Sequence, residues 1–513
     1  MKTEPVNCVY IVGAGPGDPG LMTARSLELI ASAEVIYYDR LIPPTALDHA
    51  HPDAELVYVG KRPGVVSVPQ EEIIERLIKS AGEGRKVVRL KGGDPFLFGR
   101  GAEEAEAIRE AGFDFEIVPG VTAAIAATAY SGIPVTHRED ASAVAFVTGH
   151  EDPSRPEGGI DWPALAAFPG TLVFYMGVGR LAGNSAQLIA GGRSPDEPAA
   201  AIQQGTMPSQ RVIVATLGTI ADEAAREEIE APALIVVGEV ARRRETLKWF
   251  EQRPLHGRTV VVTRARAQSS GFARTLRSLG AAVVELPAIA IEPLIESGEV
   301  TRAIAELPDF DLLCLTSPNA VELLFKAIAR NGLDARALAG VRVAAIGPGT
   351  SEALRTHRIE PDLVPERSVS EGLAELLEAE KVEGMRVLLA AAEGARKVIP
   401  EALEARGAKV DAVALYRTVR DTPGSHSLQA AAAADWITFT SASTVNNLLL
   451  AMPDGLPPGA RIVSIGPVTS EAIRDAGLEV AAEAGRHDLD GLLEALLDDL
   501  ETGDLDAASP GDE

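Results

Sequence analysis

At 513 residues the chain is too long for a single hydrophobic core and has the length of about three or four domains. Apolar residues at 46% and charged residues at 24% are the balance of a folded soluble enzyme, and the two cysteines, Cys8 and Cys314, stand far apart with no ligand-spaced partner, which argues against a disulfide framework or structural zinc and fits a reducing cytoplasm. A net charge of −26 excludes a general nucleic-acid surface, no apolar run reaches the roughly 18–20 residues of a membrane span, and MKTEPVN lacks the regions of a signal peptide, so a cytoplasmic location is expected.

The chain opens on VYIVGAGPGDPGLMT (9–23), an apolar strand running into a glycine-rich turn and then a helix. Gly13, Gly15, Gly17 and Gly20 permit positive φ or close approach of a ligand, Pro16 and Pro19 stiffen the turn, and Thr23 or Asp18 is placed to cap the helix that follows. This is not a dinucleotide fingerprint. After Gly13-x-Gly15 the third glycine belongs at 18, where Asp18 would repel a pyrophosphate at the helix N-terminus. Short apolar runs then alternate with helical segments as far as residue 240, the pattern of α/β units. Strands are expected at 9–12, 34–38, 56–59, 86–90, 115–118, 143–148, 171–175, 211–216 and 233–237. SGIPVTH (131–137) breaks the pattern where one lobe passes to the next. The charged, turn-like stretch 241–257 has no apolar period, so a first domain is expected over 1–245 and a linker over 246–257.

The second domain, 258–500, opens on RTVVVTR (258–264) and contains an internal repeat. VRVAAIGPGTSEALRTHRIE (341–360) matches ARIVSIGPVTSEAIRDAGLE (460–479), LTSPNAVELL (315–324) matches FTSASTVNNL (439–448), and GRTVVVTRARA (257–267) aligns with GMRVLLAAAEG (384–394). Each copy reads as three strand–helix pairs, giving two similar α/β lobes. Either each lobe is contiguous, or the lobes exchange segments and the chain crosses between them twice. The acidic tail 501–513 is expected to be disordered.

In open α/β sheets ligands collect at the C-terminal strand edge, and three stretches of the first half place chemistry there: VIYYDRL (35–41) with Asp39, LVYVGKR (56–62) with Lys61, and RKVVRLKGGDPFLFGRGAEE (85–104) with the Gly92-Gly93-Asp94 turn. Taken in order, the motifs GAGPGDPGLMT, YYDRL, VGKR, VRLKGGDPFLFGRGAEE, VPGVTAA, YSGIPVTHR, VTGH, FYMG and QQGT resemble uroporphyrinogen-III C-methyltransferase of the tetrapyrrole methylase superfamily, over residues 6–245. That family methylates uroporphyrinogen III at C2 and C7 with S-adenosylmethionine, giving precorrin-2 on the sirohaem and cobalamin branch. The resemblance implies Asp39 as proton acceptor and Lys61 as proton donor. It places S-adenosylmethionine against Pro16, Gly92, Gly93, Asp94, Leu97, Thr122, Ala123, Met176 and Gly205, with Leu97 standing where Ile or Val is usual. It also implies a homodimer through this half. Lys61, Arg62, Lys91, Arg100, His137, Arg138 and His150 are candidates to meet the substrate's carboxylates. His137 and His150 have no further ligand at metal spacing, so no metal is expected.

In the second half, hydroxyls follow the strands (Thr316, Ser317, Thr350, Thr440, Ser441, Thr469), and two Gly-Pro-x-Thr turns lead into helices whose N–H groups suit a polycarboxylate. VVVTRARAQ, LTSPNAV, AAIGPGTSEAL, VALYRT, FTSAS and SIGPVTSEA resemble uroporphyrinogen-III synthase over 257–497, a family that closes hydroxymethylbilane into uroporphyrinogen III with loss of water and inversion of the last ring. The resemblance favours exchanged lobes. It implies Tyr416 as the residue assisting departure of the hydroxyl, with Arg264, Ser317, Thr350, Ser441 and Thr469 as substrate contacts. The expected fold class is α/β, a two-lobed tetrapyrrole methylase fold followed by a duplicated, flavodoxin-like synthase domain. The rival readings are a nicotinamide-dependent dehydrogenase, a non-catalytic bilobal sensor in the second half, and a methylase of a later corrin intermediate.

Overall fold

The computed structural model describes residues 8–43, 45–60, 68–149, 159–263, 266–287, 289–367, 369–420, 425–452 and 455–507. The chain divides into two compact units, one of residues 1–259 with 274–282, the other of 260–273 with 283–513.

The first unit carries two sheets. β1 (Cys8–Gly13), β2 (Val35–Tyr38), β3 (Glu55–Tyr58), β4 (Val87–Lys91) and β5 (Asp114–Val118) form a sheet in the order β3-β2-β4-β1-β5, with every pair parallel. β1 is buried along its whole length because helices cover both faces of a parallel sheet, which is why CVYIVG shows no alternation. Since all five strands run the same way, the loops after β1, β2, β4 and β5 emerge at one edge. Thr23 rather than Asp18 caps the helix Ala24–Ser32, its Oγ1 accepting from Ser26 N at 3.1 Å, while Asp18 caps the short turn Pro19–Leu21.

The second sheet holds β6 (Val144–Thr148), β7 (Thr171–Tyr175), β8 (Pro198–Gln203), β9 (Arg211–Thr216) and β10 (Ala233–Val237) in the order β6-β7-β10-β8-β9, parallel between β6 and β7 and antiparallel elsewhere. β8 was not among the expected strands. PAAAIQ begins with proline and has one β-branched residue, yet its alanines are buried, because close packing on both faces leaves no room for larger side chains. Residues 246–257 are not a bare linker. Phe250 and Leu255 are buried, and Trp249 Nε1 donates to Ala129 O at 3.0 Å, so the stretch packs on the first unit.

The second unit also carries two sheets. β11 (Thr259–Val262), β12 (Ala282–Glu285), β18 (Trp436–Phe439), β19 (Arg461–Ser464) and β20 (Ala482–Glu483) are ordered β12-β11-β18-β19-β20. β13 (Ile289–Pro293), β14 (Leu312–Leu315), β15 (Arg342–Ala345), β16 (Arg386–Ala392) and β17 (Lys409–Arg420) are ordered β13-β17-β16-β14-β15. Strand order settles the topology left open by the repeats. β12-β11-β18-β19 of one sheet corresponds to β17-β16-β14-β15 of the other, so each lobe joins the first segment of one copy to the later segments of the other. The lobe of β13–β17 is continuous and interrupts its twin, and the chain crosses twice. The duplication runs further than the matched sequence pairs. RSVSEGLAELLE (367–378) and RHDLDGLLEALL (486–497) both place a glycine whose Cβ would stand 2.2 Å from the carbonyl of the arginine five residues earlier, Gly372 against Arg367 and Gly491 against Arg486. The last helix, Leu489–Ala507, takes in the first part of the tail expected to be disordered; 508–513 lie outside the described residues.

Candidate active sites

In the first unit the glycines of the opening turn let three loops close on one another. Ala14 N donates to Lys91 O at 2.8 Å, Gly15 N to Gly93 O at 3.2 Å, and Gly93 N to Gly15 O at 2.6 Å. A Cβ on Gly120 would lie 2.2 Å from Gly93 O, so no larger residue fits where the loops after β1, β4 and β5 meet. Asp94 fastens the knot, its Oδ1 accepting from Phe96 N at 2.8 Å and its Oδ2 from Gly120 N at 3.1 Å. On the open side of the Gly92–Gly93 turn, a Cβ on Gly93 would meet nothing nearer than Thr122 Cα at 3.9 Å and Ala123 N at 4.0 Å.

Thr122 and Ala123 begin the helix Ala123–Tyr130. Its first turn is served by Tyr175 at the end of β7, whose hydroxyl accepts from Ala124 N at 2.8 Å and pairs with Thr122 Oγ1 at 2.6 Å. Burial, opposed by these two hydrogen bonds, raises the Tyr175 pKa, which keeps the phenol neutral. Met176 follows, 55% exposed. From the second lobe Gly205 comes so close to the same helix that a Cβ would stand 2.2 Å from Ala127 Cβ. Phe98, Arg100, Met176, Gln204 and Thr206 all hold positive φ, a conformation that side chains adopt at a cost and that gathers at functional loops. The structure thus brings Gly92, Gly93, Asp94, Thr122 and Ala123 together, sets Met176 beside them, and brings Gly205 onto the same helix. Pro16 lies half-buried on the opening turn and Leu97 half-buried on the β4 loop. Glycine backbone, the Thr122 and Tyr175 hydroxyls and an exposed thioether thus gather at the strand edge.

Asp39 stands just past β2, 25% exposed in its side chain, with Oδ1 accepting from Leu41 N at 3.0 Å and Oδ2 at 3.6 Å from Arg89 Nη2. Behind it the charges alternate inward. Arg89 Nε donates to Glu104 Oε1 at 3.2 Å, and Lys91 Nζ donates to the two Glu104 oxygens at 3.1 and 3.2 Å. Lys91 is therefore not a free cation for substrate carboxylates, as the sequence suggested. It is buried, and its pKa is lowered, first by desolvation and then by Arg89. Of the other candidates, Arg100 pairs with Glu103 at 2.6 Å and His137 with Asp140 at 3.3 Å, while Arg138 is exposed. Lys61, Arg62 and His150 lie outside the described residues. Arg89, Glu104 and Tyr175 were missed; the signal for Arg89 was a charge set within the apolar strand VVRLK (87–91).

In the second unit Tyr416 sits on β17 at a register shift against β16, between Ala391 and Ala392, which re-aims the strand's side chains. Its hydroxyl is 2.9 Å from Ser317 Oγ, and Ser317 caps the helix Pro318–Arg330 by accepting from Ala320 N at 3.1 Å. Thr350 belongs to the same lobe; Ser441 and Thr469 belong to its twin, where Ser441 caps the helix Ala442–Ala451. Thr350 and Thr469 are 2% and 4% exposed, so what the Gly-Pro turns offer at the strand edge is the uncapped N–H groups of Pro348–Thr356 and Pro467–Asp475. Arg264 lies outside the described residues.

Comparison with known proteins agrees with this division. Residues 8–221 match the model of the tetrapyrrole (corrin/porphyrin) methylases, and 270–494 match that of uroporphyrinogen-III synthase HemD. A porphyrin biosynthesis protein HemD of Ruminiclostridium josui is 38% identical over 96% of this chain and 97% of its own. An S-adenosyl-L-methionine-dependent uroporphyrinogen III methyltransferase of Methanosarcina barkeri is 52% identical over 47% of this chain and 94% of its own. A uroporphyrinogen-III C-methyltransferase of Bacillus subtilis is 42% identical over 64% of this chain and 68% of its own. The chain belongs to the tetrapyrrole methylase family in its first half and to the uroporphyrinogen-III synthase family in its second.

Proposed function

We propose that the chain is a bifunctional enzyme that cyclises hydroxymethylbilane to uroporphyrinogen III and methylates that product twice, at C2 and C7, to precorrin-2. The observation that supports the methylase site best is the convergence of the Gly13–Gly15, Gly92–Asp94 and Thr122–Ala123 loops at the strand edge that also carries the half-open carboxylate of Asp39. S-adenosylmethionine, when bound, supplies an electrophilic sulfonium methyl. The Gly92–Asp94 turn, Thr122, Ala123, Met176 and Gly205 would hold its nucleoside, with Pro16 and Leu97 beside them. Each methyl the ring gains must be balanced by one proton lost, and Asp39 accepts it; Lys61 would stand beside it as the acid of the pair that the resemblance implies. Arg89 Nη2, 3.6 Å from Oδ2, holds the Asp39 carboxylate from behind.

In the synthase half, Tyr416 donates its hydroxyl proton to the departing hydroxyl of hydroxymethylbilane, and Ser317 at 2.9 Å fixes that phenol. Ser441 and Arg264, with the two uncapped helix termini on which Thr350 and Thr469 lie buried, hold the substrate's carboxylates, which brings the ends of the linear chain together and lowers the entropic barrier to closure. The product serves the sirohaem or cobalamin branch, and the enzyme works in the cytoplasm as a homodimer through the methylase half.

Thermal unfolding of the whole chain tests the cofactor. S-adenosylmethionine should raise the melting temperature and NAD(P) should not; the opposite result would return the opening turn to a dehydrogenase. Asp39→Ala should still bind S-adenosylmethionine and transfer no methyl group.

A further inference from the structure

The stretch after the last strand of the first unit closes a ring of hydrogen bonds around the opening turn. Tyr130 Oη donates to Asp18 Oδ2 at 2.6 Å, and Asp18 N donates to Thr206 Oγ1 at 3.0 Å. Thr206 N donates to Gln210 Oε1 at 2.8 Å, and Gln210 Nε2 donates to Glu251 Oε1 at 2.8 Å. Glu251 is held by Arg244, Nη1 to Oε2 at 3.3 Å, and the same Nη1 donates to Ser131 O at 2.6 Å, one residue beyond Tyr130. Six side chains thus tie together the opening turn, the end of the helix Ala123–Tyr130, the loop after β8 and the stretch 244–251. Outside the ring, Tyr130 packs 5.1 Å from Trp249 and 4.8 Å from Phe250.

Two of the candidate cofactor residues lie close in sequence to members of the ring. Pro16 is two residues from Asp18, and Gly205 precedes Thr206, whose φ of 71° the ring holds in place. Thr206 and Gln210 are buried, so each depends on its partner rather than on water. The matched methylase model ends at 221, short of the Arg244–Glu251 half of the ring.

We infer that residues 244–251 are a strap that preorganises the cofactor loops, with Glu251 as its positioning residue. The inference rests on the reading of these loops as the S-adenosylmethionine site. A loop already set in its bound form loses less freedom on binding, so loosening the ring weakens binding without touching the reacting atoms. The role therefore appears in cofactor affinity and KM rather than in kcat.

The test is calorimetric titration of the whole chain with S-adenosylhomocysteine, well below the melting temperature, with synthase activity as a check on folding. Glu251→Ala should weaken binding about 5- to 10-fold and raise KM for S-adenosylmethionine equally, with kcat nearly unchanged. Glu251→Gln keeps an acceptor for Gln210 and should stay within about 3-fold of wild type, and the Gln210→Ala, Glu251→Ala double variant should be no weaker than either single. Arg253→Ala, which removes a guanidinium stacked 4.7 Å over Trp249, should lower the melting temperature and leave affinity alone. Tyr130→Phe opens the ring from its far side and should weaken binding in the same way, which keeps the test open should Glu251→Ala not fold. Unchanged affinity in a folded Glu251→Ala or Tyr130→Phe, or losses that track melting temperature with Arg253→Ala included, would overturn the strap. A wild-type chain that binds no S-adenosylhomocysteine would overturn the cofactor site itself, which separates the two failures.

Discussion

Glu104, at 0% exposure, lies between Arg89 and Lys91, with Gln70 Nε2 donating to it at 2.9 Å. Removing one member of such a cluster leaves the others buried and unpaired, so Glu104→Gln should cost about 3–5 kcal/mol of stability in urea unfolding. Lys91 gives a pH test. Its folded pKa lies below the ordinary 10.5, so between the two values the unfolded chain binds more protons and the Lys91 contribution to stability rises with pH. The stability of wild type relative to Lys91→Met should therefore grow as pH climbs toward 10.5, and a falling difference would contradict the burial of this amine. At Gly205 the clash is with Ala127 Cβ at 2.2 Å, so Gly205→Ala should force the loop away and cut S-adenosylmethionine binding at least about tenfold by calorimetry. Tyr416→Phe should slow cyclisation without abolishing it, because holding the substrate folded does much of the work; an unchanged rate and isomer I to III ratio would remove Tyr416 from the mechanism. At this scale the sequence was legible where residues sit in loops at the strand edge, as with the placement of Asp39 and the Gly92–Asp94 turn. It misled where a charge points inward, as with Lys91, because a strand's period does not say which basic residue finds a buried carboxylate from a helix thirteen positions on.

At the scale of elements, the last helix shows how one carboxylate docks a segment. Asp499 accepts from Trp436 Nε1 at 2.8 Å and from Arg461 through both oxygens, fixing Leu489–Ala507 to β18 and β19. Burial works to raise its pKa, but the Arg461 and Trp436 hydrogen bonds outweigh it and hold the carboxyl below 3.8. Asp499→Ala should cost about 3 kcal/mol at neutral pH. The ionised side chain contributes fully above 3.8 and loses that contribution as pH falls through the folded value, so the variant and wild type should converge in acid. β8 stayed hidden because alanines carry no strand preference of their own, and 246–257 because Phe250 and Leu255 bury themselves without any helical or strand period. Asp18, read as the residue that spoils a nucleotide turn, has a structural reason for being acidic, since it accepts from Gly20 N at 2.7 Å and from Tyr130 Oη at 2.6 Å.

At the scale of the molecule, two units carry two successive reactions, and the product of the second unit is the substrate of the first. The repeats in the second half announced two similar lobes; only strand pairing shows that one lobe interrupts the other, because sequence identity between copies says nothing about which strands are neighbours. A chain of net charge −26 that handles polycarboxylates must oppose its own field locally, and on the reading proposed above the uncapped helix N-termini at Pro348 and Pro467 would do so without added lysines. A single chain that performs both steps can be tested in one vessel. Hydroxymethylbilane and S-adenosylmethionine supplied together should yield, by mass spectrometry, uroporphyrinogen III carrying two added methyl groups, with Asp39→Ala accumulating the unmethylated III isomer. Formation of isomer I alone, or of isomer III that never gains a methyl group in the wild-type chain, would contradict it.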